Sequence, residues 1–209
     1  QLRPEQLVAF LQEIDQYIAR KYPGLASRTV TLNRTELKKT LLTSDGASAF
    51  SLFPRSLIQI SLTVEQDGAP VSLQEVFGGR GQFEALFSTP DALYPKIDQL
   101  YEHLMRKREG IYAAAGLKTC ILAPELTGIL AHEAIGHTCE ADLVLGGSVV
   151  ATKLDQIVAS PLVSLVDFAH TALGETCPVP IFVDDEGTKA TDAVLIDHGI
   201  LKGFLHNKE

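Results

Sequence analysis

Two stretches of the chain carry apolar residues at steps of three and four, the spacing that lines one face of an α-helix. The first stretch is residues 5–21, which end at a Tyr-Pro-Gly sequence, and the second is residues 92–108. Both are predicted to be amphipathic helices that pack on a core. The apolar positions are Leu7, Phe10, Leu11, Ile14 and Ile18 in the first and Leu93, Ile97, Leu100, Tyr101, Leu104 and Met105 in the second.

The hydrophobic period changes between these two helices. Residues 28–66 alternate apolar and polar positions or are rich in β-branched residues, as strands with one buried face do. Turn-forming residues interrupt the pattern at Ser44–Gly46 and again at Asp67–Gly68. The segment therefore predicts an antiparallel meander of strands joined by tight turns.

The second half of the chain mixes strand and helix signals. The apolar residues 117–124 are predicted to form a buried strand, and a helix is predicted over about 124–143. Strands are expected at about 161–167 and 179–183. A hairpin is expected after them, because "AVLID" and "ILKGFLH" flank the turn sequence His198–Gly199.

In chain order, these elements predict an α+β fold. An antiparallel β-meander with amphipathic helices is followed by a strand, a helix that carries a sequence motif, and a β-rich segment. We place the domain boundary in the stretch between Gly110 and Gly116. Residues 1–112 are then an α+β domain and residues 113–209 belong to a β-rich domain.

Composition excludes some partners. The 209-residue chain has a net charge of −8, a surface that repels nucleic acid and anionic membranes, so neither is expected to bind. Its three cysteines form no disulfide framework, which fits a reducing, cytoplasmic compartment. No apolar run reaches the roughly 18 residues of a membrane span. Because the first residue is Gln rather than Met, the natural N-terminus is expected to lie outside this sequence.

The candidate chemistry lies in the predicted helix over 124–143, in the sequence "HEAIGH" at His132–His137. In the zinc-peptidase motif H-E-x-x-H, two histidines four apart share one helical face beside a Glu that deprotonates a metal-bound water. Here the histidines are five apart, so on a regular helix they point roughly 140° away from each other. A shared zinc therefore requires a distorted helix, such as a π-bulge, which Gly136 would tolerate.

Spacing alone leaves two interpretations of this motif open. Without a distortion it is two unrelated helix histidines beside a surface glutamate. With one, His132 and His137 are metal ligands and Glu133 is the base that activates the water. Glu140 and Asp142 follow within two turns, where a carboxylate can orient a ligand histidine.

No third metal ligand stands out from the sequence. Cys139 lies two residues beyond the second motif histidine, roughly 200° around a regular helix, so it is expected to point away. Cys177 is a loop residue that nothing local selects. His198 is expected to serve the hairpin turn, and His170 and His206 stay open as incidental ligands.

A second acidic cluster, Asp184, Asp185 and Glu186, precedes the predicted hairpin. Adjacent carboxylates can bind a cation or a substrate amine. They also form solvated turns, here with Gly187 at positive φ. The turn is the preferred interpretation, and a secondary role of the three carboxylates at a substrate cleft stays open.

Three ordered blocks of sequence resemble the TldD/PmbA family of metallopeptidases. They are "HEAIGHTCEADLVLGG", "VASPLVSLVD" and "FVDDEGTKATDAVLIDHGILKGFLHN", and "LKKTLLTSDGA" is similar to the family's middle domain. The family motif H-E-x-x-x-H, followed by E-x-D, corresponds here to His132, Glu133, His137, Glu140 and Asp142.

The resemblance implies a zinc-dependent peptidase that cleaves small or unstructured peptides inside a closed chamber. It assigns His132 and His137 as ligands and Glu133 as the general base. It also implies a TldD-like subunit that forms a hetero- or homo-oligomer with a related TldD/PmbA-type subunit. Residues 1–112 would be the family's middle domain and residues 113–209 the truncated beginning of its C-terminal domain.

The chain departs from the family pattern in places that concern the metal. Family members are about twice as long and supply a cysteine ligand far toward the C-terminus. The chain is therefore expected to be a fragment that lacks this cysteine and the first domain. The usual "DDGT" is "DFAH" at Asp167–His170, and "GHGLE" is "GHTCE", with Cys139 where Gly or Leu is usual. Because two histidines alone hold zinc weakly, the 209-residue chain is expected to be a poor enzyme or none.

Two functional hypotheses follow from these observations. The first is peptide hydrolysis, in which zinc polarises the scissile carbonyl and Glu133 moves a proton from water to the leaving amine. The alternative is a non-catalytic assembly or peptide-binding module with an incomplete metal site, whose sheet edges accept an added strand. Metal analysis of the purified protein after zinc reconstitution distinguishes the two.

Overall fold

A computed structural model describes residues 2–207 and divides them into two compact units. The first unit contains the residues up to Lys39 together with Ser51–Ala115. The second contains Thr40–Phe50 and the described residues from Gly116 onward. Helices occur together with antiparallel sheets, which confirms the predicted α+β class.

The elements of residues 2–207 come in four consecutive blocks: a helix, three strands, a run of helices and helical turns, and five short strands. The helices are α1 (Pro4–Lys21), α2 (Phe83–Leu86), a 3₁₀ turn (Pro90–Leu93), α3 (Tyr94–Arg108), α4 (Pro124–Ala131), a π-helix (His132–Gly136), a second 3₁₀ turn (His137–Cys139) and α5 (Ala141–Leu145). The strands are β1 (Ser27–Leu42), β2 (Ser48–Gln66), β3 (Ala69–Arg80), β4 (Leu165–Asp167), β5 (Thr171–Ala172), β6 (Glu175–Thr176), β7 (Ala193–Asp197) and β8 (Ile200–Leu201). Both amphipathic helices that the apolar spacing predicts are confirmed, as α1 and α3.

The predicted meander is confirmed as a sheet with the strand order β1-β2-β3. Strands β2 and β3 pair in antiparallel register from Arg55 opposite Arg80 to Gln66 opposite Ala69. Alternate residues of β2 are buried, and they join the apolar faces of α1 and α3 in one core. The buried members are Phe10, Ile14, Ile18, Ile58, Ile60, Leu62, Val64, Phe77, Phe83, Phe87, Leu93, Ile97, Leu100 and Leu104.

A polar cluster joins α1 to α3 beside this core. The carboxylate of Asp98 accepts hydrogen bonds from the hydroxyl groups of Tyr17 (2.6 Å) and Tyr22 (2.5 Å) and from the ammonium of Lys21 (2.6 Å). The ring of Tyr17 also stacks on Tyr94, with centroids 3.6 Å apart. Burial tends to raise the pKa of Asp98, but these hydrogen bonds favour the carboxylate more strongly, so the pKa is lowered.

The second unit is built from smaller sheets, with the strand orders β4-β7-β8 and β5-β6. Its core consists of Cys139, Val150, Leu195, Ile196 and Leu201. The predicted hairpin is confirmed, because β7 and β8 flank a tight turn at His198–Gly199 in which both residues have positive φ, 44° and 83°. Within residues 2–207, no helix combines the length and the apolarity that crossing a bilayer requires.

Three predicted elements of the second unit are wrong. Residues 117–124 form no strand, and Leu117 and Ile121 are fully exposed. Apolar composition indicates a preference for burial, but a strand also needs a hydrogen-bonded neighbour. The strand expected at 179–183 is reduced to a single bridge between Val183 and Lys189. The continuous helix expected over 124–143 is broken into α4, a π-helix, a 3₁₀ turn and the beginning of α5.

Candidate metal centre

The motif occupies the point where α4 ceases to be a regular helix. Pro124 begins α4, and the α-helical pattern ends at Ala131. The amide of His137 then donates to the carbonyl of His132, a bond between residues five apart that defines a π turn. The distortion that a shared metal requires is therefore present in the backbone. It does not use the freedom of Gly136, whose φ of −51° and ψ of −59° are ordinary right-handed values.

The π turn brings the two motif histidines together. Their ring centroids lie 4.5 Å apart with the ring planes at 70°. The Nε2 atom of His137 lies 3.9 Å from Oε2 of Glu133. One donor atom each from His132, Glu133 and His137 lies within 4.8 Å of the others, and among the described residues this is the group able to hold a metal. Ligand atoms of a tetrahedral zinc are about 3.4 Å apart. Modest side-chain rotation would bring the donor atoms of this group to that distance.

Glu140 contacts the second motif histidine at Nδ1, the ring nitrogen opposite the one that faces Glu133. The 3₁₀ turn ends at Cys139, and the backbone of Glu140 becomes extended, with φ −64° and ψ 132°. Its Oε1 lies 2.7 Å from Nδ1 of His137. Asp142 makes a different contact, because its carboxylate accepts the amide hydrogen of Leu143 within α5. Of the two acidic residues that follow the motif, Glu140 thus contacts a candidate ligand and Asp142 contacts its own helix.

A groove of about 380 Å³ lies against the histidines. It is lined by residues of α4 and the motif, by Glu140, and by residues of β4 and β7 that are apolar except for Asp167. A second groove, of about 480 Å³, shares Asp167 and Leu205 with the first. The residues of the first groove are Gly128, Ala131, His132, Gly136, His137, Glu140, Leu165, Val166, Asp167, Leu195 and Leu205.

The apolar residues that line this groove are absent from the site predicted from the sequence. Leu165 and Val166 belong to β4, Leu195 belongs to β7, and Leu205 follows β8. Each reads as an ordinary core or strand residue in sequence. The signal that points to them is the resemblance of two sequence blocks to a peptidase family. The block "VASPLVSLVD" contains Leu165 and Val166, and the block "FVDDEGTKATDAVLIDHGILKGFLHN" contains Leu195 and Leu205.

The acidic cluster Asp184–Glu186 forms a turn. The Oδ1 atom of Asp184 accepts the amide hydrogens of Glu186 (2.9 Å) and Thr188 (2.7 Å). Gly187 has a φ of +84°, and a Cβ atom there would lie 2.5 Å from the Cβ of Ala47. Asp184 also lines the second groove, whereas none of the three carboxylates belongs to the His–Glu–His group.

The remaining candidate ligands lie outside the His–Glu–His group. Cys139 is fully buried in the core of the second unit, and burial raises the pKa of its thiol. The thiol of Cys177 donates weakly to the carbonyl of Phe168 at 3.9 Å. The ring of His170 stacks on Phe182, with centroids 5.0 Å apart. Neither cysteine therefore supplies a third ligand to the motif in this geometry.

Two family models together match all of the chain except residues 108–115. Residues 1–107 match the central domain of the PmbA/TldA metallopeptidases, and residues 116–209 match their C-terminal domain. A metalloprotease of Methanothermobacter thermautotrophicus is 30% identical over 205 residues, which cover 93% of this chain and 42% of that protein. A zinc metalloprotease TldD homolog of Saccharolobus solfataricus is 24% identical and covers 98% of this chain and 45% of that protein.

A solved structure with a similar fold comes from Bacteroides thetaiotaomicron, a protein described as a proposed modulator of DNA gyrase. The TM-score is 0.81, and the match covers 97% of this chain and 45% of the other. The sequence identity is 16%, so this likeness concerns the fold alone. The chain thus spans less than half the length of these relatives, at 42% and 45% of the two metalloproteases.

Proposed function

The chain belongs to the PmbA/TldD metallopeptidase family, and we propose that it carries the catalytic motif of a zinc-dependent peptidase for small or unstructured peptides. The observation that supports the proposal most directly is the hydrogen bond from the amide of His137 to the carbonyl of His132. It brings two imidazole rings, five residues apart in sequence, to a centroid distance of 4.5 Å. One relative is named a zinc metalloprotease, and imidazole donors such as these two histidines suit zinc.

The residues present suit a zinc ion. His132 and His137 would hold it through imidazole nitrogens, which zinc prefers together with thiolate and carboxylate donors. The two rings are solvent-accessible, with 46% of the His137 side chain exposed, so an ion can reach them. In the full-length protein, the family resemblance assigns the third protein ligand to a cysteine outside this sequence.

Peptide hydrolysis needs a polarised carbonyl, an activated water and a proton carrier. Bound zinc would supply the first two, since it acts as a Lewis acid and lowers the pKa of water to about 7. The proposed proton carrier is Glu133; its Oε2 lies 3.9 Å from Nε2 of His137, and its side chain is 65% exposed. It accepts the proton from water and transfers it to the leaving amine.

The groove beside the histidines offers space for the substrate. Its volume of about 380 Å³ and its largely apolar lining suit a short stretch of peptide next to His132 and His137. A folded protein would not enter a groove of this size. This supports small or unstructured peptides as the substrate class.

The test uses the full-length protein in three forms: wild type, Glu133→Gln and His137→Ala. We expect stoichiometric zinc and peptide cleavage in the wild type. Glu133→Gln should keep zinc and lose cleavage, because the amide cannot accept the proton. His137→Ala should lose both. A matched control is Glu125→Gln, which removes a carboxylate from the first turn of α4 and should change neither property.

Two results would contradict the proposal. Unchanged cleavage by Glu133→Gln would remove the assigned base. Peptide binding by a wild-type protein that takes up no zinc would favour the non-catalytic peptide-binding module instead. The proposed partner, a related TldD/PmbA-type subunit, is tested separately by measuring the mass of the full-length assembly in solution.

A further inference from the structure

Glu140 is the acidic side chain that reaches back to the motif. Its Oε1 lies 2.7 Å from Nδ1 of His137, and 39% of its side chain is exposed. We propose that Glu140 is a positioning residue, which holds the imidazole of His137 in the tautomer that leaves Nε2 free for a metal ion. This inference rests on the proposed zinc site, but its first test needs no metal.

The tautomer follows from the chemistry of the pair. An ionised carboxylate accepts hydrogen bonds and cannot donate them. The short contact with Glu140 therefore requires the hydrogen to be on Nδ1 of His137. In a neutral imidazole the lone pair is then on Nε2, the nitrogen that lies 3.9 Å from the carboxylate of Glu133. The ligand nitrogen and the proposed base thus face each other.

The backbone holds Glu140 in place for this contact. Its extended conformation ends the helical run and returns its side chain toward the residue three positions earlier. The amide of Ala141 donates to the carbonyl of Leu205, and the amide of Leu205 donates to the carbonyl of Cys139. The carbonyl of Glu140 accepts the amide hydrogen of Val144. Backbone bonds on both sides of Glu140 therefore fix the position from which its side chain reaches His137.

Asp142 provides an internal comparison. It lies two residues further on and carries the same charge, but its carboxylate accepts the amide hydrogen of Leu143 instead of contacting a histidine. Replacing Asp142 by Asn removes the same charge from the same neighbourhood. A long-range electrostatic effect would appear in both variants, whereas a positioning effect belongs to Glu140 alone.

The first experiment measures the tautomer of His137 in metal-free protein by ¹⁵N NMR of the imidazole. The spectra are recorded at alkaline pH, and the ¹⁵N shifts of a neutral ring report which nitrogen carries the hydrogen. We expect Nδ1–H in the wild type and in Asp142→Asn. Glu140→Ala should shift the population toward Nε2–H, the tautomer that a histidine side chain favours in water. An Nε2–H tautomer in the wild type, or an unchanged population in Glu140→Ala, would overturn the inference.

The second experiment measures zinc affinity by competition with a chelator. Loss of a carboxylate that orients a ligand histidine weakens metal binding by about 10–100-fold, and we expect this range for Glu140→Ala. Glu140→Gln keeps an acceptor oxygen, so its zinc affinity should fall less than that of Glu140→Ala. Glu140→Gln takes the place of the alanine variant if the alanine variant does not fold. Asp142→Asn should bind like the wild type. Equal affinity in Glu140→Ala and wild type would contradict the proposal.

The two experiments also separate this inference from the proposed function. A wild-type protein that binds no zinc would refute the metal site, while the tautomer measurement would still decide whether Glu140 orients His137. A wild type that binds zinc, together with an unchanged tautomer in Glu140→Ala, would refute the role of Glu140 alone.

Discussion

The two units of the chain differ in how regularly they are built. In the first unit, α1 continues for 18 residues and joins α3 and β2 in one continuous core. In the second, a stretch of similar length from Pro124 to Leu145 changes from α-helix to π-helix to 3₁₀ turn and back. Large apolar side chains such as Ile129 and Leu130 stay half-exposed along it. Regular periodicity accompanies burial, and the irregular stretch carries the candidate chemistry.

The difference has a physical cause. Every residue of a regular helix forms the same backbone bond, so its apolar face determines how it packs. A π turn replaces one of these bonds by a hydrogen bond between residues five apart, and such turns are frequent at functional sites. Here the turn places His137 over His132. The first unit should therefore respond to mutation mainly in stability, and the motif of the second mainly in metal binding.

The largest expected effect comes from the core of the first unit. Phe83 is fully buried and packs edge-to-face on Phe10, with ring centroids 5.0 Å apart. Replacing Phe83 by Ala should lower the free energy of unfolding by about 4 kcal/mol, since it removes buried apolar surface and leaves a cavity. Urea denaturation measures this loss. Phe50→Ala, at a side chain that is 66% exposed, should cost less than about 0.5 kcal/mol.

The core of the second unit should lose less stability when a buried side chain is shortened, because its small cluster can collapse around the cavity. Leu201 is fully buried in a cluster of few residues, and Leu201→Ala is expected to cost about 2–3 kcal/mol, at the lower end for such changes. Calorimetry of wild type and variant measures it. The control is Leu162→Ala, at a side chain that is 96% exposed. A cost for Leu201→Ala as large as that for Phe83→Ala would contradict the difference in packing between the units.

A smaller effect tests the turn at Gly187. Its φ of +84° is unfavourable for any L-residue, and a Cβ atom would lie 2.5 Å from the Cβ of Ala47. Gly187→Ala should therefore cost about 1–3 kcal/mol. Gly174→Ala is matched, since φ is +86° but no atom lies within 4 Å of the added carbon. Both variants place an alanine at positive φ, so the backbone cost is the same in both. The difference between their melting temperatures therefore measures the clash with Ala47, and equal melting temperatures would contradict it.

The smallest effect concerns Asp98, which is partly exposed. Its folded-state pKa is lowered, so its contribution to stability is complete above the unfolded pKa of about 3.9 and is lost as the pH falls through the folded pKa. Asp98→Asn should cost about 1 kcal/mol at pH 7. Urea midpoints of the two proteins should converge as the pH falls below about 4. A gap that stays constant while the pH falls below the unfolded pKa would show that the carboxylate charge is not what stabilises the cluster.

Much of the first unit is predictable from sequence, because its elements depend on local patterns. Apolar spacing identifies α1 and α3, and turn residues separate the strands of the meander. In the second unit, the same rules locate the β7–β8 hairpin, whose turn at His198–Gly199 is set by two residues. They fail at 117–124, since apolar composition does not tell whether a neighbouring strand is present. They also miss β5 and β6, which are too short to show a period.

The sequence by itself identified the candidate residues, because His132, Glu133 and His137 stand in the order of a metallopeptidase motif. It also specified a condition, that two histidines five residues apart meet only where the helix is distorted. Only the tertiary structure decided that the condition is met and that Glu140 contacts His137. The reason is that these contacts depend on a backbone bond between His132 and His137 and on pairing with Leu205, far along the chain. Neither bond is encoded in the spacing of the motif.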